Sequence, residues 1–330
     1  MNIKNDTWGI TLNTTVAVII RSKNRLQLLP RAIKSVMDQS YTDWIMVIVN
    51  DGGEQEPLNY LIEQFYKNIQ HKIQVIHNEN SLGMEAASNV GIKSVTTKYV
   101  AMLDDDDSWT PDFLNVSINE LDRMNNLYSN IMGVACFCKV VHERIEMDEI
   151  IIDRVVPLVT DNIVEFKEGL ISLRKLLVNN MFSNNSFLYY YSVFENIGYY
   201  REDLPVLGDW EFNIRFIKKY DIFVIPQFLS HYHQRINNAT QYGNSVTRDF
   251  SVHLFYHDIL RNEWLRQDLL NESNGLGYYT NSLSMLNEMQ NNQRHIMQAQ
   301  SQTLSVMNIL ANKLLELVKL LHDEKGMPNG

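Results

Sequence analysis

The sequence predicts an α/β protein with a doubly wound, mostly parallel sheet, followed by a helical extension that ends in a coiled coil. Three observations carry this prediction. Short apolar runs rich in Val and Ile alternate with amphipathic helical stretches across residues 16–103, the rhythm of parallel strands joined by crossover helices. The runs at 16–20, 44–49 and 99–103 are apolar throughout, as a sheet covered on both faces requires. From Met289 onward apolar residues recur every seven positions, which is a helix seam and not a strand pattern.

After a polar leader of about fifteen residues, Val16-Ala17-Val18-Ile19-Ile20 forms the first strand, and Arg21-Ser22-Lys23-Asn24-Arg25 the turn after it. Leu29, Ile33, Val36 and Met37 recur at helical spacing and give a helix with one apolar face. Residues 44–49 form the second strand, which ends on Asn50-Asp51-Gly52-Gly53, where glycine permits a tight turn and close approach of a ligand to backbone. Leu58, Leu61, Ile62 and Phe65 mark the second helix. Residues 72–77 give a third strand, 83–95 a third helix and 99–103 a fourth strand. Parallel strands place their C-terminal ends on one edge, so Asp51 and the acids after the fourth strand converge there, where open α/β sheets bind ligands.

Those acids are Asp104-Asp105-Asp106-Asp107, which follow the apolar run directly. Thr110 can cap a helix with Pro111 at its first position and Asp112 in its first turn, holding the acids between two rigid elements. Adjacent like charges repel unless a cation neutralises them, and hard oxygen ligands suit magnesium, manganese or calcium. A solvated acidic turn is the other reading.

A chain of 330 residues with 45% hydrophobic content has room for one large or two medium domains. A net charge of −10 argues against general nucleic-acid binding, although it leaves room for a nucleotide held through a metal. Cys136 and Cys138 are two apart on a strand-like run, ill placed for a disulfide and too few for a zinc site, so they read as buried thiols of a reducing compartment. With no apolar segment of bilayer-spanning length and no signal pattern, a cytoplasmic protein is expected, one that can visit a membrane surface.

In the second half, residues 134–141 read as a strand, Leu173, Leu176 and Leu177 as a short helix, and 189–194 and 223–229 as further strands. Asn179 to Phe187 is a polar patch flanked by aromatics, with a surface turn as its plain reading. Asp209 sits at the start of a helix patterned by Trp210, Phe212, Ile214 and Phe216, where it serves as an N-cap, a base, or both. Phe250, Leu254, Phe255, Leu260 and Trp264 indicate another helix, followed by a Gly-Leu-Gly loop at 275–277. Met289, Ile296, Thr303, Leu310 and Leu317 then form a heptad seam, with Met307, Leu314 and Leu321 offset by four and Gln293 and Gln300 weakening its first half. A coiled coil that makes a homo-oligomer and a single amphipathic helix folded back on the first domain both satisfy this pattern.

Several strings stand together. They are Val18-Ile19-Ile20-Arg21-Ser22-Lys23-Asn24-Arg25, Val47-Ile48-Val49-Asn50-Asp51-Gly52-Gly53, Asn80-Ser81-Leu82-Gly83 with Ser88-Asn89-Val90-Gly91, Leu103-Asp104-Asp105-Asp106-Asp107-Ser108-Trp109, and Leu207-Gly208-Asp209-Trp210-Glu211-Phe212-Asn213-Ile214-Arg215. The combination resembles the family 2 glycosyltransferases of the GT-A fold, a Rossmann-like sheet, over about residues 14–240. In that family the corresponding strings read V-I-I-P-T-Y-N-R, I-I-V-D-D-G-S, N-x-G with A-R-N-x-G, L-D-x-D-D-x-W and x-E-D-W-x-x-x-x-R. Here Arg21 stands for the proline, Asn50 for the first aspartate, Ser88 for the arginine and Gly208 for the glutamate.

The resemblance implies a metal-dependent inverting transferase, UDP-sugar favoured, that moves a sugar to a hydroxyl of a saccharide or glycolipid acceptor in bacterial surface polysaccharide biosynthesis. It implies Asp209 as the base; Arg21, Asn24, Asp51, Asn89, Asp104 and Asp105 on the nucleotide sugar; and Asp106, with His233 ahead of His231, on Mn2+ or Mg2+. Asp51 would meet the nucleotide base, and residues 179–187 would supply an acceptor loop. The domains would be 1–245, with the donor side at about 14–110 and the acceptor side at about 111–245, and a helical extension at 246–330. Two alternatives are a sugar nucleotidyltransferase, although the loop at 21–25 has no glycine, and a catalytically silent scaffold acting through its coiled coil.

Overall fold

A computed structural model describes residues 14–147, 149–158, 169–235, 250–272 and 275–325. The polar leader and the expected boundary at 245/246 lie outside the described residues. By contacts the chain divides into two compact units, Met1–Asn262 and Glu263–Gly330.

In the first unit β1 (Val16–Ser22), β2 (Trp44–Asp51), β3 (Ile73–Asn78) and β4 (Tyr99–Asp104) alternate with α1 (Leu29–Met37), α2 (Gln55–Phe65) and α3 (Met84–Lys93). These strands pair in parallel in the order β3-β2-β1-β4. The chain runs outward from β1 to β3 and then returns to the other side of β1, so the strand order reverses between β1 and β4. Arg21 and Asp104 are register partners at the C-terminal end of that junction, the crevice where such sheets open for a ligand. Residues of β1 and β2 are almost wholly buried, which explains their unbroken Val and Ile content.

The second half adds β5 (Ser108–Trp109), α4 (Phe113–Leu127), β6 (Ile131–Glu146), β7 (Glu149–Pro157), β8 (Gly169–Leu170) and α5 (Leu173–Leu176). Next come β9 (Phe187–Tyr190), α6 (Phe194–Ile197), α7 (Gly208–Ile217) and β10 (Asp221–Arg235). The sheet continues β4-β9-β6-β10-β5, with β7 on β6 and β8 on β10. Only a short turn separates β4 from β5, yet β5 pairs with β10 at the far end. A chain that short reaches little more than ten ångströms, so the sheet curls and brings β10 to the acidic turn.

Several expectations shift here. Thr110 does not cap a helix: α4 begins at Phe113, and the carbonyl oxygen of the Gln39 side chain accepts the Leu114 N–H at 2.9 Å, so a residue from the end of α1 does the capping. The strand expected at 189–194 is shorter, because after Tyr190 the chain turns into α6. His231 and His233 lie within β10 and not after it. Cys136 and Cys138 are buried free thiols of β6.

Helix α8 (Phe250–Leu270) begins in the first unit, where His257 stacks on Trp210 at 5.0 Å and Arg261 donates to the carbonyls of Leu177 and Val178. In the second unit, α9 (Leu276–Lys325) is one unbroken helix. Asp268 caps it by accepting the Tyr278 N–H at 2.7 Å. Gly277 is there because a Cβ would lie 2.1 Å from the Leu265 nitrogen. The expected Gly-Leu-Gly loop is thus a backbone contact between two helices. Met289, Ile296, Met307, Leu310 and Leu314 are all more than half exposed along α9; the side chains of Leu317 and Leu321 lie outside those described. Among the described residues, no helix is long and apolar enough to cross a membrane.

Candidate active site

The acids after β4 do not repel one another across open water; each has its own partner. Asp104 takes Arg21 Nε at 3.0 Å and is the member whose side chain faces solvent, at 32%. Asp105 is buried and accepts from Ser22 Oγ at 2.7 Å and Arg25 Nη1 at 2.8 Å. Asp106, also buried, pairs with Arg235 and, at 3.4 Å, with Arg25. Asp107 accepts the His233 backbone N–H at 2.9 Å and the Asn185 amide at 2.7 Å. Burial drives the Asp105 and Asp107 carboxyls above the usual carboxylate range, with the neighbouring charge of Asp106 adding to it. The hydrogen bonds and arginines are therefore what keep the turn folded.

Behind them stands Glu143 of β6, fully enclosed, which binds Arg31 Nη1 at 2.7 Å, Arg235 Nη1 at 2.6 Å and His233 Nδ1 at 2.9 Å. Burial alone would raise its pKa; bonds from His233 and Arg31 overrule that and hold it at about 2. A carboxylate only accepts, so His233 Nδ1 carries the proton, and its Nε2 takes the Ser108 hydroxyl at 2.9 Å. Both ring nitrogens are committed to protein partners. Arg25, Arg31 and Arg235 supply the neutralisation that repulsion seemed to demand of a cation. Among the described residues no group of three or more His, Cys, Asp or Glu is arranged to hold a metal ion. Of the four acids Asp104, expected on the nucleotide sugar, has the most solvent-facing carboxylate, while Asp106 and His233, the expected metal ligands, are bonded to protein partners.

Asp209 lies at the first turn of α7, after Leu207, whose φ of 64° is left-handed for a non-glycine residue, a strain of the kind found at functional sites. The Trp210 N–H and the Asn180 amide each donate to its carboxylate at 2.8 Å. Burial raises its pKa against that N–H and Arg21, and Asp104 raises it further. Asp209 thus stands within electrostatic reach of the β1–β4 junction. The patch at 179–187 is no plain surface turn: Asn180 and Asn185 are the amides that hold Asp209 and Asp107.

Other expected donor residues have structural work. Asp51 accepts four hydrogen bonds, from Asn78, Ser81, Leu82 N–H and Gly83 N–H at 2.8–3.1 Å, and fixes the loop that leads into α3. Burial would raise its carboxyl, and these donors bring it below the usual range. Asn89 is buried and clamps Tyr200 N–H, Tyr200 carbonyl and Glu202 at 2.8–3.0 Å. Asn24, with φ 54°, accepts the Glu54 N–H at 2.8 Å. It borders a cavity of about 270 Å³ lined by Ser22, Gln27, Asn50, Glu54 and Leu58. Arg31, Glu143 and Arg235 were not singled out in the sequence. For Arg31 and Glu143 the signal is a charge among apolar neighbours, where burial demands a partner; Arg235 stands in a polar run that gives none.

A curled sheet with acids at its strand-order reversal is an α/β architecture with one edge open to a ligand, and comparisons with known proteins supply the family. The family model described as Glycosyl transferase family 2 matches residues 17–196, and the chain belongs to that family. A putative colanic acid biosynthesis glycosyl transferase, WcaA of Escherichia coli (strain K12), is 34% identical over 125 residues, 36% of this chain and 43% of that protein. A putative teichuronic acid biosynthesis glycosyltransferase, TuaG of Bacillus subtilis (strain 168), is 35% identical over 99 residues, 30% of this chain and 38% of that one. The matches to these two relatives thus span under half of their length. Among solved structures, S. aureus TarS superposes with a TM-score of 0.50 at 15% identity, covering 72% of this chain and 38% of TarS. The mannosyltransferase PcManGT of Pyrobaculum calidifontis, in complex with GDP-Man and Mn2+, also gives 0.50 at 15% identity, covering 67% and 57%. At that identity the likeness is one of fold.

Proposed function

We propose that this chain is an inverting glycosyltransferase that moves a sugar from a nucleotide diphosphate donor, a UDP-sugar first among candidates, to a hydroxyl of a saccharide or glycolipid in bacterial surface polysaccharide assembly. The observation that carries it is Asp209, a carboxylate with a raised pKa, fixed by an N–H and an amide within the field of Arg21 and Asp104. Family membership and the two polysaccharide relatives support the setting.

In this reading the nucleoside takes the cavity beside Asn24 and Asn50, the diphosphate lies over the β1–β4 junction and the sugar lies towards Asp209. Asp209 takes the proton of the acceptor hydroxyl as its oxygen attacks C1; the bond from C1 to the phosphate oxygen breaks on the opposite face, and the nucleoside diphosphate leaves with the electron pair. A divalent cation, Mn2+ or Mg2+, would be held by Asp104, with Asp106 behind it, and would stabilise charge on the leaving diphosphate. Asp209→Asn keeps the shape and removes the base. Its kcat should fall by about a hundred- to ten-thousand-fold while UDP binding by calorimetry stays unchanged; undiminished turnover would sink the assignment.

Self-association of α9 with a second copy of this chain is a separate part of the reading. It is supported by the heptad seam, whose described apolar members face solvent along the helix.

A further inference from the structure

Glu85 is the one charged residue in the first turn of α3, and it is 96% withdrawn from solvent, its exposure being 4%. Its Oε2 has no hydrogen-bond partner and lies 3.6 Å from Arg21 Nη1. Arg21 is itself committed elsewhere, to Asp104 at 3.0 Å and to Ser88 Oγ at 2.8 Å. Burial pushes the Glu85 carboxyl up to about 7 against the pull of Arg21, with Asp209, Asp104 and Glu211 adding to the rise. Tyr189 and Tyr200 are near enough to feel its charge. A buried carboxylate left short of donors costs stability and calls for a reason.

The opposite wall supplies one. A Cβ on Gly208 would lie 2.4 Å from Glu85 Cδ and 2.5 Å from its Oε1. The carboxyl of Glu85 therefore fills the volume that a side chain at 208 would take, directly beside Asp209. The family string has an acid at 208 and an arginine at 88; this chain has Gly208 and Ser88, with Glu85 packed on the one and Arg21 bonded to the other. Glu85 and Arg21, from separate elements, meet in space at 3.6 Å.

We propose that Glu85 is a sugar-binding residue whose Oε2, ion-paired to Arg21 but without a hydrogen-bond donor, accepts a hydrogen bond from a hydroxyl of the transferred sugar, with Arg21 holding the carboxyl group in place. The role rests on the glycosyltransferase reading above. The missing donor is supplied by substrate, so the unsatisfied oxygen is a feature of the sugar-free protein.

The test uses the full chain with UDP-glucose, UDP-N-acetylglucosamine, UDP-galactose and GDP-mannose, and with free UDP and GDP. For the donor that the wild type turns over, Glu85→Gln should lower kcat/KM by about ten- to a hundred-fold. Affinity for the corresponding free nucleotide diphosphate, which carries no sugar, should stay within about two-fold. Gly208→Glu alone should be impaired by collision with Glu85. Combined with Glu85→Ala it should recover at least about ten-fold over Glu85→Ala alone, because the carboxylate is back in the same volume. Unchanged kcat/KM in Glu85→Gln overturns the proposal. So does equal loss of free-nucleotide binding and melting temperature, which marks a purely structural acid. A double variant no better than Glu85→Ala restricts Glu85 to neutralising Arg21 and overturns the hydroxyl contact. If the wild type turns over none of the four donors, the enzymatic reading itself falls, an outcome separate from any of these.

Discussion

At the scale of single residues, the site is built from carboxylates whose roles are set by how many donors each already has. Asp51 has four protein donors, so its carboxylate is spent on the loop that starts α3. Asp51→Ala should lower stability by about 1.5–3 kcal/mol, since hydrogen bonds to a charged group are worth about that much and do not add; urea denaturation reads it, and a midpoint shift near zero would refute the structural role. Asp209, by contrast, has two donors and a raised pKa. A base must be deprotonated, so the acidic limb of kcat/KM should lie above the usual carboxylate range, with activity rising as pH rises through it. The limb should vanish from the residual activity of Asp209→Asn. A limb in the ordinary carboxylate range would contradict the cause given for the shift.

At the scale of elements, Glu143 ties β6 to α1 through Arg31 and to β10 through His233 and Arg235. Arg31 also donates to the Asp106 carbonyl, so the acidic turn hangs from the same knot. Glu143→Ala would leave buried Arg235 and half-buried Arg31 each short of a partner and should cost about 3–5 kcal/mol, measured by thermal or chemical melting. The pH dependence has a fixed sign. The carboxyl lies lower in the folded chain, at about 2, than its ordinary 4.5, so its stabilisation is complete above 4.5 and is lost as pH falls towards 2. A melting temperature in Glu143→Ala that fell as steeply below pH 4.5 as in the wild type would assign that acid lability to other groups.

At the scale of the whole molecule, two parts of the proposed function belong to neither residue nor element. One is cation dependence. Chelation by EDTA should abolish transfer, and added Mn2+ should restore it; turnover indifferent to EDTA would show that Arg25, Arg31 and Arg235 suffice for charge balance. The other is association through α9. Sedimentation should give a mass above one chain that falls when Ile296 and Leu310 are both changed to Asp, since charge in a heptad seam opposes pairing. A wild-type protein that sediments as a monomer at tens of micromolar would leave the helix without the partner proposed for it.

Much was legible in the sequence because it is written locally. Unbroken apolar strands, helical spacing and acids directly after the fourth strand follow from backbone geometry and burial, so the parallel sheet, its binding edge and Asp209 at a helix start can be read residue by residue. The family strings added the class. What could not be read is whatever depends on partners distant in the chain. Whether Asp106 meets a cation or an arginine depends on Arg235, more than a hundred residues away and brought in by the curl of the sheet. That Gln39 caps α4, that Asn180 and Asn185 hold two carboxylates, and that Glu85 fills the space above Gly208 are likewise pairings between separate elements. The sequence by itself determined which groups are charged and which edge they gather on. Only the tertiary structure decided which charge neutralises which, because that depends on distances that no local pattern encodes.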